Sequence, residues 1–92
     1  MSISAGDVDR AWRKLGMEIK ETNDRHAIFR VNGKFILRTK RSFGSGKLSG
    51  KIPHFIRQQL KLDERQFQDL IDCPLDRNGY IQILQSKGFI PD

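Results

Sequence analysis

A chain of 92 residues with a formal net charge of +6 has room for one domain and one core, and can fold without disulfides or metal. Cys73 is its only cysteine, so an intrachain disulfide is excluded, and no spacing of Cys and His marks a zinc site. The opening residues show neither a basic start nor an apolar run, and no later stretch approaches membrane-span length, so a cytoplasmic protein with no membrane partner is expected.

The positive charge is segregated. Between residues 10 and 61, fourteen Lys or Arg stand against Glu18, Glu21 and Asp24, whereas residues 62 to 92 hold Arg65, Arg77 and Lys87 against six carboxylates. Such a field attracts polyanions and makes their binding salt-dependent. A nucleic acid is the partner class this distribution favours.

In chain order, Ser4 and Asp7 offer a start signal for a helix. Val8, Ala11, Trp12 and Leu15 then recur at helical spacing, and Gly16 supplies a stop. Residues 17 to 21 alternate apolar and charged side chains, as a half-buried strand does. The runs His26 to Val31 and Lys34 to Lys40 flank Asn32-Gly33, a dipeptide suited to the positive φ values of a type I′ hairpin. An uninterrupted two-residue hairpin pairs Ile28 with Leu37 and Phe29 with Ile36. Both faces are then partly apolar, and the pattern leaves open which one the helices cover.

Residues 41 to 51 form a Gly/Ser loop rich in cations. Pro53 opens a helix carrying Ile56 and Leu60 inward, and Asp63 with Gln66 marks the start of a third. Pro74 ends that helix. A fourth, about Arg77 to Lys87, presents Tyr80, Ile83 and Leu84 and stops at Gly88, with Phe89 placed to fold back on its last turn. The expected class is α+β: a three-stranded antiparallel sheet with helices on one face, in the order α-β-β-β-α, plus C-terminal helices, all in one domain spanning residues 1 to 92.

A Gly/Ser loop before a helix can cradle an anion. A nucleotide-binding P-loop is excluded, because Arg41 stands where it needs Gly and Leu48 where it needs Ser or Thr. The candidate phosphate contacts are Arg25, Arg30, Arg38, Lys40, Arg41, Lys47, Lys51 and Arg57. His26, at the start of the second strand, is the candidate general acid or base, since imidazole exchanges protons near neutrality. The alternative is a packing or surface histidine. His54 is the other histidine, and the sequence does not say whether the two meet. No Ser/His/Asp order, paired-carboxylate motif or metal cluster stands out, and no cofactor is expected.

The helix, three-strand, helix order, the histidine in Arg25-His26-Ala27-Ile28-Phe29-Arg30, and the segment Ile56-Arg57-Gln58-Gln59-Leu60 together resemble the HicA family of small toxins. The resemblance covers roughly residues 8 to 72, leaving residues 74 to 92 as a helical extension. It implies a fold similar to double-stranded-RNA-binding domains and metal-free cleavage of messenger RNA by a strand histidine, which falls on His26. It also implies an antitoxin-like protein partner. Asp24 and Arg25 stand where the family has Gly and a small hydroxyl residue, and Lys51-Ile52 where it has Gly-Thr at the entry to the second helix.

Two further classes are open. A non-catalytic module would bind duplex RNA or DNA through the same basic face, and a protein-interaction domain would dock through its acidic C-terminal helices. A DNA-reading helix-turn-helix fits poorly, because its recognition helix would carry Glu64, Asp69 and Asp72 with only Arg65 as a cation.

Overall fold

A computed structural model describes residues 3–41, 48, 50–72 and 74–91. Lys47 and most of the Gly/Ser loop therefore lie outside the described residues. The elements are α1 (Ala5–Lys14), β1 (Glu18–Glu21), β2 (Arg25–Val31), β3 (Lys34–Arg41), α2 (Ile52–Gln59), α3 (Glu64–Asp72) and α4 (Arg77–Ser86). The three strands form one antiparallel sheet in the order β1-β2-β3, flanked by the helices.

Local chemistry accounts for the helix ends. Ser4 and Asp7 form a reciprocal capping box on α1, with Asp7 N–H donating to Ser4 Oγ at 3.1 Å and Ser4 N–H donating to an Asp7 carboxylate oxygen at 3.0 Å. Asp63 and Gln66 repeat the arrangement before α3, and Leu62 and Phe67 are both buried there, as a staple requires. At the end of α1, Gly16 takes φ +68°, a conformation that suits glycine. A Cβ there would also sit 3.3 Å from Arg77 Nη1. After α4, Phe89 N–H returns to the Leu84 carbonyl, but the ring stays 46% exposed and the buried apolar residue is Ile90. The expected fold-back is thus made by the backbone, with Ile90 as the plug.

The hairpin departs from an uninterrupted register. Val31 pairs with Lys34 and Arg30 with Phe35, but Phe29 then pairs with Leu37, so Ile36 is an extra residue in β3. Beyond this bulge every pair shifts by one. Ala27, Phe29, Leu37 and Thr39 share the buried face, while His26, Ile28, Arg38 and Lys40 share the open one. The expected pairings of Ile28 with Leu37 and Phe29 with Ile36 are replaced by Ile28 with Arg38 and Phe29 with Leu37.

One core cluster joins α1, the covered sheet face and all three later helices. It includes Trp12, Phe29, Ile56, Phe67, Leu70, Tyr80 and Leu84. Tyr80 meets Phe29 edge to face at 5.0 Å, a contact worth roughly 0.5–1.5 kcal/mol beyond area burial. Its hydroxyl donates to the Leu60 carbonyl at 2.7 Å, and burial pushes the phenol above its ordinary range. Arg77 lies over the Phe29 ring and donates to the carbonyls of Leu15 and Arg30. The C-terminal helix therefore completes the core from the helical side.

An ion pair ties α1 to the sheet. Arg41 donates to Asp9 through Nε at 3.1 Å and Nη2 at 2.8 Å, and its side chain is only 5% exposed. Arg25, its cross-strand neighbour, approaches the same carboxylate at 3.5 Å. Removing Asp9 would leave a buried guanidinium without this counter-charge. Asp9→Ala is expected to cost about 3 kcal/mol in urea unfolding, whereas Arg25→Ala, at a longer and more exposed contact, should cost about 1 kcal/mol or less. Equal effects would contradict this ranking.

The capping box predicts a pH effect. The Ser4 backbone N–H holds the Asp7 carboxyl below the usual range, with the Ser4 hydroxyl and Arg10 adding to the effect and desolvation opposing it. A lowered folded-state pKa gives stability that is present above the unfolded value of about 3.9 and is lost as pH falls through the folded value. Thermal unfolding from pH 5 downward should therefore show a shallower loss of Tm in Asp7→Asn than in the parent.

Candidate nucleic-acid interface

Strand register places the candidate residues before any long-range contact is considered. Directly paired residues share a face, so Lys20 on β1, His26 on β2 and Lys40 on β3 form one row across the open side of the sheet. The next row is Glu18, Ile28 and Arg38, and the last is Arg30 beside Phe35. Four cations occupy this face beside two carboxylates: Glu18 accepts from Arg30 Nε at 3.1 Å and lies 3.8 Å from Lys20 Nζ, and Asp24 approaches Lys40 from the turn after β1.

His26 sits at the junction of two clefts. One, of about 150 Å³, is lined by His26, Arg38, Thr39, Lys40 and Gln59. The other, of about 330 Å³, is lined by Lys20, Thr22, His26, Ile28 and Arg38. The ring Nε2 is 3.1 Å from Thr22 Oγ1, which fixes the imidazole on the open face. Nδ1 makes no hydrogen bond among the described residues. Gln59 braces the first cleft, since its Oε1 accepts from Thr39 Oγ1 at 2.6 Å and from the Lys40 amide at 3.2 Å. One residue thus docks α2 onto the edge of β3.

The cations expected to touch phosphate do not gather in one place. Arg38 and Lys40 line the clefts beside His26, with Lys40 Nζ 3.6 Å from Asp24. Arg30 lies at the far end of the same face. Arg25 and Arg41 face the helices and share Asp9. Arg57 donates to the Leu62 carbonyl at 2.9 Å and to His54 Nδ1 at 2.9 Å, so it closes the end of α2. Lys51 is exposed at the start of α2, and Lys47 is outside the described residues.

The two histidines are held apart in role. His54 bonds to Arg57 and Gln58 within its own helix, and it lines neither cleft that contains His26. Three residues of the open face went unassigned in the sequence: Lys20, Thr22 and Phe35. The alternation of residues 17 to 21 already put Lys20 on one side of a strand, but the register that brings it beside His26 is set by pairing.

Among the described residues no cluster of three or more His, Cys, Asp or Glu could hold a metal ion, and no helix is long and apolar enough to cross a membrane. Comparison of the chain with protein-family models, curated proteins and solved structures gave no match.

Proposed function

We propose that this chain is an RNA-binding protein of the HicA-like type, with the open face of its sheet as the binding surface and His26 as the proton-transferring residue of a ribonuclease. The observation that carries the reading is the row Lys20, His26 and Lys40, with Arg38 lining both clefts beside the imidazole. A phosphate lying over that row meets positive charge on both sides.

The chemistry follows from RNA's own nucleophile. When the ribose 2′-oxygen attacks the adjacent phosphorus, the 2′-hydroxyl loses a proton, the bond to the 5′-oxygen breaks and that oxygen gains one. His26 serves one of these transfers and water the other. Arg38 and Lys40 offset the charge that builds on the phosphoryl oxygens. Thr22 holds one ring nitrogen, which leaves Nδ1 to face the ribose or the leaving oxygen.

A non-catalytic binding module is the second reading. It is favoured by the engagement of His54 on its own helix, which leaves His26 as the lone imidazole of the face.

Incubating the parent and His26→Ala with single- and double-stranded RNA in excess chelator separates the two. Catalysis predicts fragments from the parent, a loss of roughly 10²- to 10⁴-fold in cleavage rate in the variant, and little change in retention. Retention without fragments selects the binding module. Equal loss of cleavage and retention would make His26 structural. No retention at all would overturn the RNA reading and turn attention to a protein partner. Arg38→Ala should lower the salt slope of binding by about one phosphate contact.

A further inference from the structure

Side chains alternate along β3, so the neighbouring apolar residues Phe35 and Ile36 lie on opposite faces. Ile36 turns toward Ile81 and Ile90, whereas Phe35 is left 55% exposed. Phe35 is the direct cross-strand partner of Arg30, so its ring stands on the open face. The flanking residues on that face are Ile28 and Arg38, which pair with each other. An exposed aromatic ring bordered by guanidinium groups provides an apolar surface beside positive charge.

We propose that Phe35 is a base-stacking platform, and that the strand bound on the open face is unpaired where it crosses that ring. The inference rests on the reading of this face as an RNA site, and it adds a residue and a conformation of the ligand. Bases present a π-face whatever their sequence, and their stacking on aromatic side chains is a recurrent means of holding single strands. In a duplex those π-faces are already covered by neighbouring base pairs, so an exposed ring on a sheet has nothing to stack on. Charge complementarity favours a polyanion over an apolar protein segment, because the four cations Arg30, Arg38, Lys20 and Lys40 outnumber the two carboxylates beside them, Glu18 and Asp24.

The spacing also orients the ligand. From His26 to Arg30 is four residues of strand, roughly 13 Å at about 3.3 Å per residue. A base on Phe35 therefore lies beyond the nucleotide whose phosphate is at His26. The platform positions the strand relative to the imidazole and does not touch the reacting atoms.

The test measures binding of an unpaired uridine oligonucleotide, the same oligonucleotide with abasic sites, and an RNA duplex to the parent, Phe35→Ala and Phe35→Trp. Circular dichroism checks that each variant is folded, which the exposure of Phe35 favours. Phe35→Ala is expected to weaken unpaired RNA roughly 5- to 100-fold with little change in salt slope, because no charge is removed. Phe35→Trp should retain affinity, and its indole fluorescence should change with the uridine oligonucleotide but not with the abasic one. Unchanged affinity in Phe35→Ala, or a parent that prefers duplex, overturns the platform while leaving the face as an RNA site. A Phe35→Ala variant that keeps its RNA affinity but elutes smaller than the parent in gel filtration makes the ring a protein contact and also overturns it. If the parent binds none of the three RNAs, the underlying RNA reading fails together with the platform.

Discussion

The orientation of β3 depends on one extra residue. Because side chains alternate along a strand, a register slip of one exchanges its two faces. Continued without interruption from the Asn32-Gly33 turn, the hairpin would set Arg38 opposite Ala27 and Lys40 opposite Arg25. Two cations would then enter the core beside Phe29, and Leu37 and Thr39 would face water. Inserting Ile36 between the residues that pair with Arg30 and Phe29 reverses this assignment. Burial of Leu37 and Thr39 and exposure of Arg38 and Lys40 are two outcomes of the same bulge. The cost of one unpaired strand residue is set against the far larger cost of burying charge without partners.

Once the register is fixed, the fate of the remaining cations follows from what lies opposite them. Arg25 and Arg41 are in register on the helical side, where two guanidinium groups would repel each other and be poorly hydrated. Asp9, at the centre of α1, answers both. This consumes positive charge that a count along the chain assigns to the nucleic-acid surface, and in exchange it fixes the angle of α1 across the sheet. Arg57 is likewise committed, to the carbonyl at the α2–α3 junction, where Lys61 takes a positive φ of 63°. The basic character of residues 10 to 61 is therefore shared between architecture and surface.

This division explains how much of the molecule was legible in the sequence. The caps at Ser4, Asp7, Asp63 and Gln66, the stops at Gly16 and Gly88 and the Asn32-Gly33 turn are local devices whose partners lie within a few residues, and each appears where the sequence places it. The α+β class follows from them. The bulge was not legible, because Ile36 is as good a strand residue as its neighbours and only competition between the two faces decides that it must be skipped. Nor was the pairing of Arg41 with Asp9, separated by 32 positions. For the candidate site, His26, Arg38 and Lys40 were visible as residue types, but their union with Lys20, Thr22 and Phe35 required the register.

The same geometry gives the C-terminal helix a defined place. A C-terminal extension could in principle fold over the basic sheet face and cover it. Here Tyr80 and Leu84 are buried in the core, Lys87 donates to the Lys61 carbonyl, and Arg77 reaches the Leu15 and Arg30 carbonyls. Arg77 and Tyr80 both contact Phe29, on the covered side of β2, opposite in direction to His26 and Arg30. An apolar sheet face must be covered by something, and α4 supplies part of that cover. The polar face has no such requirement, so its cations can remain at the hydrated surface. Separation of the two faces by a single register shift is what allows a domain this small to carry both a complete core and an open, positively charged sheet.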